Sequence, residues 1–203
     1  MTALPMAELQ KRLDRAAELR PESTTLGDFR ADPALVAAET DALKRARRII
    51  TAHSDIAGLF PKRAMRLQWK MPAANETARR PRGSKPVVVF PAATVGRKGC
   101  YELREALRGL DVKLILLGPL IEGAGFWEGF DVEHGSDDWL ARADLVVLPA
   151  FVEHKPRRLL LAAAHGIPVI ATSSCGVEGV AGIRSVAPGE PYALRVAIRE
   201  ALD

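Results

Sequence analysis

Residues 143–149, Ala143-Asp144-Leu145-Val146-Val147-Leu148-Pro149, contain the run that decides the fold. Leu145 to Leu148 is wholly apolar, half β-branched and closed by a proline, the pattern of a strand buried on both faces. Similar runs lie to either side: Val87-Val88-Val89-Phe90, then Lys113 to Leu117 closed by Gly118-Pro119, and downstream Pro168-Val169-Ile170-Ala171. Between them the period becomes helical. Cys100, Leu103, Leu107 and Leu110 make one apolar stripe, Trp139 to Ala143 and Pro156 to His165 predict short helices, and Tyr192 to Leu202 predicts a closing one. Val132 to His134 and Ile183 to Val186 are weaker strands. This alternation predicts an α/β fold for residues 85–203, a Rossmann-like, doubly wound parallel sheet with helices on both faces.

Upstream the character changes. Residues 71–84, MPAANETARRPRGS, combine turn formers with arginines and no apolar periodicity, as expected of a linker. Residues 1–70 read as a mostly helical region. Asp32-Pro33 is a helix start, with an N-cap acid and a proline at the first helical position, and Leu35, Ala38, Ala42, Leu43 and Ala46 follow at helical spacing towards Arg48. Ile49-Ile50-Thr51 is a candidate strand and Ser54 to Phe60 a helical turn or two.

The formal charge of +4 on 203 residues divides into +6 on residues 1–84 and −2 on residues 85–203. The basic cluster Lys44-Arg45-Ala46-Arg47-Arg48 lacks interleaved aromatics and sits where cations suit a helix dipole, with Asp41 four residues before Arg45. It reads as a solvated helix end, so no nucleic-acid partner is expected. A composition 48% hydrophobic and 27% charged excludes a disordered or fibrous chain. The two cysteines, Cys100 and Cys175, lie far apart with no His/Cys cluster, which argues against a disulfide framework and a zinc module. No apolar run reaches the ~20 residues of a membrane span, and Met1 to Pro5 does not open a secretory signal. The expected setting is the cytoplasm.

In an open parallel sheet, ligands bind beyond the carboxyl ends of the strands. The loop after Phe90 runs through Gly96-Arg97-Lys98-Gly99 to the mouth of a helix. Small residues, a close-approach glycine and two cations there can hold a phosphate, or can simply cap the helix in solvent. The loop after Leu148 carries Glu153-His154-Lys155 into Pro156-Arg157-Arg158, again at a helix start. After Ala171, a third polar loop reaches Cys175 and Glu178. Cys175 has no activating base in its own loop, so a buried residue is the better reading than a nucleophile.

Taken together, Lys98-Gly99 before a helix, Ala143 to Pro149, Glu153 four residues on, and Gly166-Ile167-Pro168-Val169-Ile170-Ala171-Thr172 resemble the donor-binding half of GT-B glycosyltransferases of the retaining "glycosyl transferases group 1" or family 4 type. The resemblance covers roughly residues 86–202, and Ile49 to Ser54 is similar to the closing segment of that family's acceptor-side domain. It implies that Lys98 meets a donor diphosphate and that Glu153, as first member of a Glu-x7-Glu motif, lies beside the donor sugar as the catalytic carboxylate. It further implies a diphosphate site completed by Gly99, Pro156 and Arg97, the last standing in for a family cation, with Glu178 lining the same pocket; Arg157 and Arg158, in the first turn after Pro156, either add positive charge near the phosphates or face solvent. The cofactor expectation is none: a nucleotide-diphosphate sugar is the donor substrate and no metal is required. Two positions depart from the family. Leu161 replaces the second glutamate, which accepts the ribose hydroxyls, and Pro91-Ala92 replaces a Gly-Arg pair at the end of the first strand.

A complete GT-B enzyme needs two sheets of Rossmann size, more than residues 1–84 supply. Residues 1–70 are therefore expected to be a remnant of an acceptor-side domain, the rest being a missing domain or a partner chain, with the isolated chain inactive. The alternative is a non-catalytic module, truncated or decayed, that acts as a partner subunit.

Overall fold

The computed structural model describes residues 4–74, 83–135 and 137–203. Helices α1 (Met6–Leu19) and α2 (Pro33–Arg45) lead into β1 (Ile49–Thr51), α3 (Ser54–Gly58) and β2 (Ala64–Arg66). The second region runs β3 (Val87–Phe90), α4 (Cys100–Leu107), β4 (Lys113–Leu116), β5 (Asp131–His134), α5 (Trp139–Arg142), β6 (Leu145–Leu148), α6 (Arg157–Ala164), β7 (Val169–Thr172), β8 (Ile183–Val186) and α7 (Pro191–Leu202). Most of the expected linker, residues 75–82, lies outside the described residues.

Six strands form one sheet in the order β5-β4-β3-β6-β7-β8, every neighbour parallel. The chain starts in the middle, builds outward through β4 and β5, then returns to β6 on the other side of β3. This reversal leaves a crevice above β3 and β6, where consecutive loops diverge. The apolar runs become its core: Val88, Val89, Phe90 and all of Leu145 to Leu148 are at most 2% exposed. Asp144 supports the join, its carboxylate accepting the Val87 N–H at 2.8 Å.

The first region also holds strands. β1 and β2 pair in parallel as a separate two-stranded sheet, with Ile50 opposite Met65. At three residues, Ala64-Met65-Arg66 carries no readable periodicity. Helix α2 starts where expected, Asp32 accepting the Ala34 N–H at 2.7 Å, but it ends at Arg45, before the basic residues run out. Arg63 closes that end by donating to the carbonyls of Leu43 and Ala46, each at 2.8 Å. The Asp41–Arg45 pair forms at 2.6 Å in solvent.

Helix α1 packs on the second region. Leu4, Leu13 and Ala16, with Leu26 and Ile56, cluster around Phe151 and Val152 from the loop after β6. Beyond it, Arg20 pairs with Glu102 at 2.6 Å and Glu105 at 3.0 Å. Residues 23–25 then meet Glu122, from the loop after β4. Its carboxylate accepts from Ser23 Oγ and Tyr101 OH at 2.8 Å, Gly96 N–H at 2.7 Å, Thr24 N–H at 3.1 Å, and the Thr25 hydroxyl. Burial works to raise this carboxyl, but the converging donors outweigh it and hold the group below its ordinary range.

The turn Gly96–Lys98 is brought down onto the loop after β6. Gly99 has φ 75°, and a Cβ there would lie 2.0 Å from the Pro149 carbonyl oxygen. Gly109, also at φ 75°, faces open space. Gly109→Ala should therefore carry only the left-handed backbone cost, about 1–2 kcal/mol, whereas Gly99→Ala should cost clearly more because it also forces the two loops apart. Urea unfolding of both variants checks this; equal losses would show that the close approach adds nothing.

Candidate functional site

The crevice at the strand reversal has a volume of about 290 Å³. Pro91, Ala92 and Ala93 line one side, Lys98 and Glu153 the back, and Lys155, Pro156, Arg157 and Arg158 the other. Its centre is an ion pair, Lys98 Nζ to Glu153 Oε2 at 2.9 Å, with both side chains about 15% exposed. The same ammonium donates to the Val152 carbonyl at 2.9 Å, and the Lys155 N–H donates to Glu153 Oε1 at 2.8 Å.

The fold explains this convergence. The Arg97 carbonyl accepts the N–H groups of Phe151, at 3.0 Å, and Val152, at 3.3 Å, zipping the loop after β3 to the loop after β6. Lys98, one residue on, is thereby delivered to Glu153. Burial works to raise the Glu153 carboxyl, but Lys98 and the Lys155 N–H outweigh it and keep the group below the ordinary carboxylate range. It is an anion at neutral pH, surrounded by lysine and arginine.

The predicted residues divide. Lys98, Glu153, Pro156 and Arg157 line one crevice, and buried Gly99 backs it by its approach to Pro149. Pro156 is the N-cap of α6 and Arg157 its first helical residue. Arg97 joins through its carbonyl; its side chain is exposed and is not part of the lining. Glu178 lies in a different hollow of about 590 Å³, with Trp69, Leu67 and Val180. Arg158, exposed like Arg157, reaches across the crevice to donate to the Pro91 carbonyl at 2.8 Å. Leu161 is partly buried and packs against the apolar core. Cys175 is fully buried, and burial pushes its thiol up to about 12, which suits packing and not nucleophilic chemistry. No group of three or more His, Cys, Asp or Glu residues that could hold a metal occurs among the described residues.

The model of the family described as "Glycosyl transferases group 1" matches residues 85–203. The chain belongs to this family. A teichuronic acid biosynthesis glycosyltransferase of Bacillus subtilis (strain 168), TuaC, is 32% identical over 104 residues, covering 47% of this chain and 27% of that protein. Among solved structures, a glycosyltransferase from Rickettsia africae superposes with a TM-score of 0.61 at 14% identity, covering 87% of this chain and 59% of its own. HepE of Anabaena, crystallised with UDP-glucose, superposes with a TM-score of 0.60 at 19% identity, covering 82% of this chain and 57% of its own. The chain thus spans little more than half the length of these solved structures and about a quarter of TuaC. The fold is that of GT-B glycosyltransferases, with the sheet of residues 85–203 as its Rossmann-like half. Among the described residues no helix is long and apolar enough to cross a membrane.

His53, which the sequence marks only as part of the Ile49 to Ser54 segment, is 2% exposed and donates from Nε2 to the Glu153 carbonyl at 2.8 Å. Its one local signal is its place directly before Ser54-Asp55, at a helix start. Burial holds the His53 and His154 imidazoles below their usual value. In the unfolded chain both titrate near 6.5, so on acidification the unfolded state takes up protons first. Stability is then fully present above about pH 6.5 and falls as pH drops through and below it. Urea midpoints between pH 7.5 and 5.5 should show this decline, and His154→Gln should make it shallower. An identical slope in the variant would contradict the burial of His154 as a neutral ring.

Proposed function

We propose that the crevice binds the diphosphate of a nucleotide sugar and that, once an acceptor-side half is supplied, the protein transfers the sugar with retention of configuration. The observation that carries this reading is the Lys98–Glu153 pair at the strand reversal, ringed by Lys155, Arg157 and Arg158. A diphosphate entering there meets two ammonium groups, two guanidinium groups and the start of α6, all favourable to negative charge. Glu153 is then freed to face the donor sugar. As the bond from C1 to the diphosphate oxygen breaks, its electron pair passes to the leaving diphosphate, and the fixed cations stabilise the charge that develops. The acceptor hydroxyl bonds to C1 and gives up its proton to the departing diphosphate oxygen. The UDP-glucose held by the Anabaena relative supports this class of donor. The chain's share of its relatives' length supports an acceptor site completed elsewhere, beside the region that carries β1 and β2.

Leu161 favours a second reading, a partner subunit that has lost its nucleotide site, because an apolar side chain cannot accept ribose hydroxyls. Calorimetric titration with UDP and a panel of nucleotide-diphosphate sugars separates the two. On the first reading at least one member binds, and Lys98→Ala weakens UDP binding by about 1–3 kcal/mol. Glu153→Gln instead changes discrimination among the sugars more than affinity for free UDP. Leu161→Glu tightens UDP binding if the ribose subsite is otherwise intact. Failure of the whole panel to bind either the native chain or Leu161→Glu overturns the donor reading and leaves the non-catalytic one.

A further inference from the structure

We infer that His53, a residue of the first region, is a positioning residue that sets the Lys98–Glu153 pair in place by holding the backbone of Glu153. The inference rests on the donor reading of the crevice for its functional consequence, though not for its geometry. His53 ends the segment after β1 and caps α3, its Nδ1 accepting the Ile56 N–H at 3.3 Å. With Nδ1 occupied as an acceptor, the proton of the neutral ring sits on Nε2, which donates to the Glu153 carbonyl at 2.8 Å. One ring therefore fixes two backbones through its two nitrogens, that of Ile56 in its own helix and that of Glu153, 100 residues from His53.

The ring is itself held in one orientation. Gly176, at φ 64°, presses against it so closely that a Cβ would lie 2.0 Å from Nδ1. Trp69 meets it edge to face, with centroids 6.4 Å apart, and donates from Nε1 to the Gly176 carbonyl at 2.9 Å. The Ser54 N–H donates to that same carbonyl at 3.0 Å. The loops after β1, β6 and β7 thus meet at this imidazole. The charges nearest to it are already paired: Asp55 with Arg12 at 2.5 Å, and Glu153 with Lys98 at 2.9 Å. A shift of the first region is therefore transmitted to Glu153 through a hydrogen bond of fixed direction.

Two substitutions divide the ring's contacts. Asparagine places an oxygen near the Nδ1 position and keeps the helix cap, but cannot reach Glu153. Glutamine places an N–H near the Nε2 position and keeps the bond to Glu153 at the expense of the cap. In the full chain, we expect His53→Asn to melt within a few degrees of the native protein while amide exchange of residues 151–155 accelerates about tenfold and UDP affinity falls about tenfold. His53→Gln should return both to within about threefold of native and instead speed exchange in α3. Those ratios correspond to losing or keeping one net hydrogen bond. Equal effects of the two variants on residues 151–155, or none from His53→Asn, would overturn the inference. If the native chain binds no UDP, the donor reading fails while the exchange comparison still decides the role of His53. Should either variant fail to fold, imidazole nitrogen spectra of the native protein decide instead: a neutral ring protonated on Nε2, with a slowly exchanging proton, supports the assignment, and a proton on Nδ1 refutes it.

Discussion

The Lys98 ammonium is shared between the Val152 carbonyl and the Glu153 carboxylate, and the rest of the site is arranged around that contact. The two loops involved leave the sheet on opposite sides of the reversal and would otherwise diverge. Three features bring them together: the Arg97 carbonyl, the absence of a side chain at Gly99, and the lysine. A buried ion pair is a poor source of net stability, since desolvation of both charges offsets their attraction. Its value here is geometric, because it fixes a carboxylate and a cation beside the crevice at the strand reversal.

The first region is fastened to this same loop. Phe151 and Val152 complete the apolar cluster under α1, and His53 holds the next residue, Glu153. Strands β1 and β2 are short for a self-supporting sheet, and parallel pairs ordinarily need cover on both faces. Ile50 and Met65, opposite each other in register, are nearly half exposed. The stability of the first region therefore comes from docking on the loops of the second and not from its own sheet.

Much of this was legible in sequence because buried parallel strands are written as continuous apolar runs. Val87 to Phe90 and Leu145 to Leu148 needed no tertiary information. The loops after those two strands could be singled out for the same reason, since the strand ends fix where they begin. What stayed hidden depends on contacts between distant residues. Glu122 meets residues almost a hundred positions away, and nothing near it marks it as a hydrogen-bond acceptor for Ser23 to Thr25. Arg97 drew notice as a cation, whereas the contact it makes between the two loops is through its carbonyl, and backbone roles leave no trace in residue type. The family resemblance implies a place for Glu178 in the pocket of Glu153, whereas the turn at Gly176 carries it into the hollow beside Trp69. Strand β2 was missed because three residues with an arginine at the end do not establish a period.

The strap at residues 23–25 is held by a carboxylate, that of Glu122, whose donors, among the described residues, are all hydroxyls or backbone N–H groups and include no cation. Hydrogen bonds of this kind are not weakened by counter-ions as exposed ion pairs are. The neighbouring fastening, where Arg20 reaches the half-exposed Glu105, belongs to the second kind. Rising ionic strength thus acts unevenly along one short segment: it weakens the Arg20–Glu105 contact, while the strap and the pair of Arg20 with the buried Glu102 stay fixed, so a concentrated electrolyte would fray only the solvent rim of this junction.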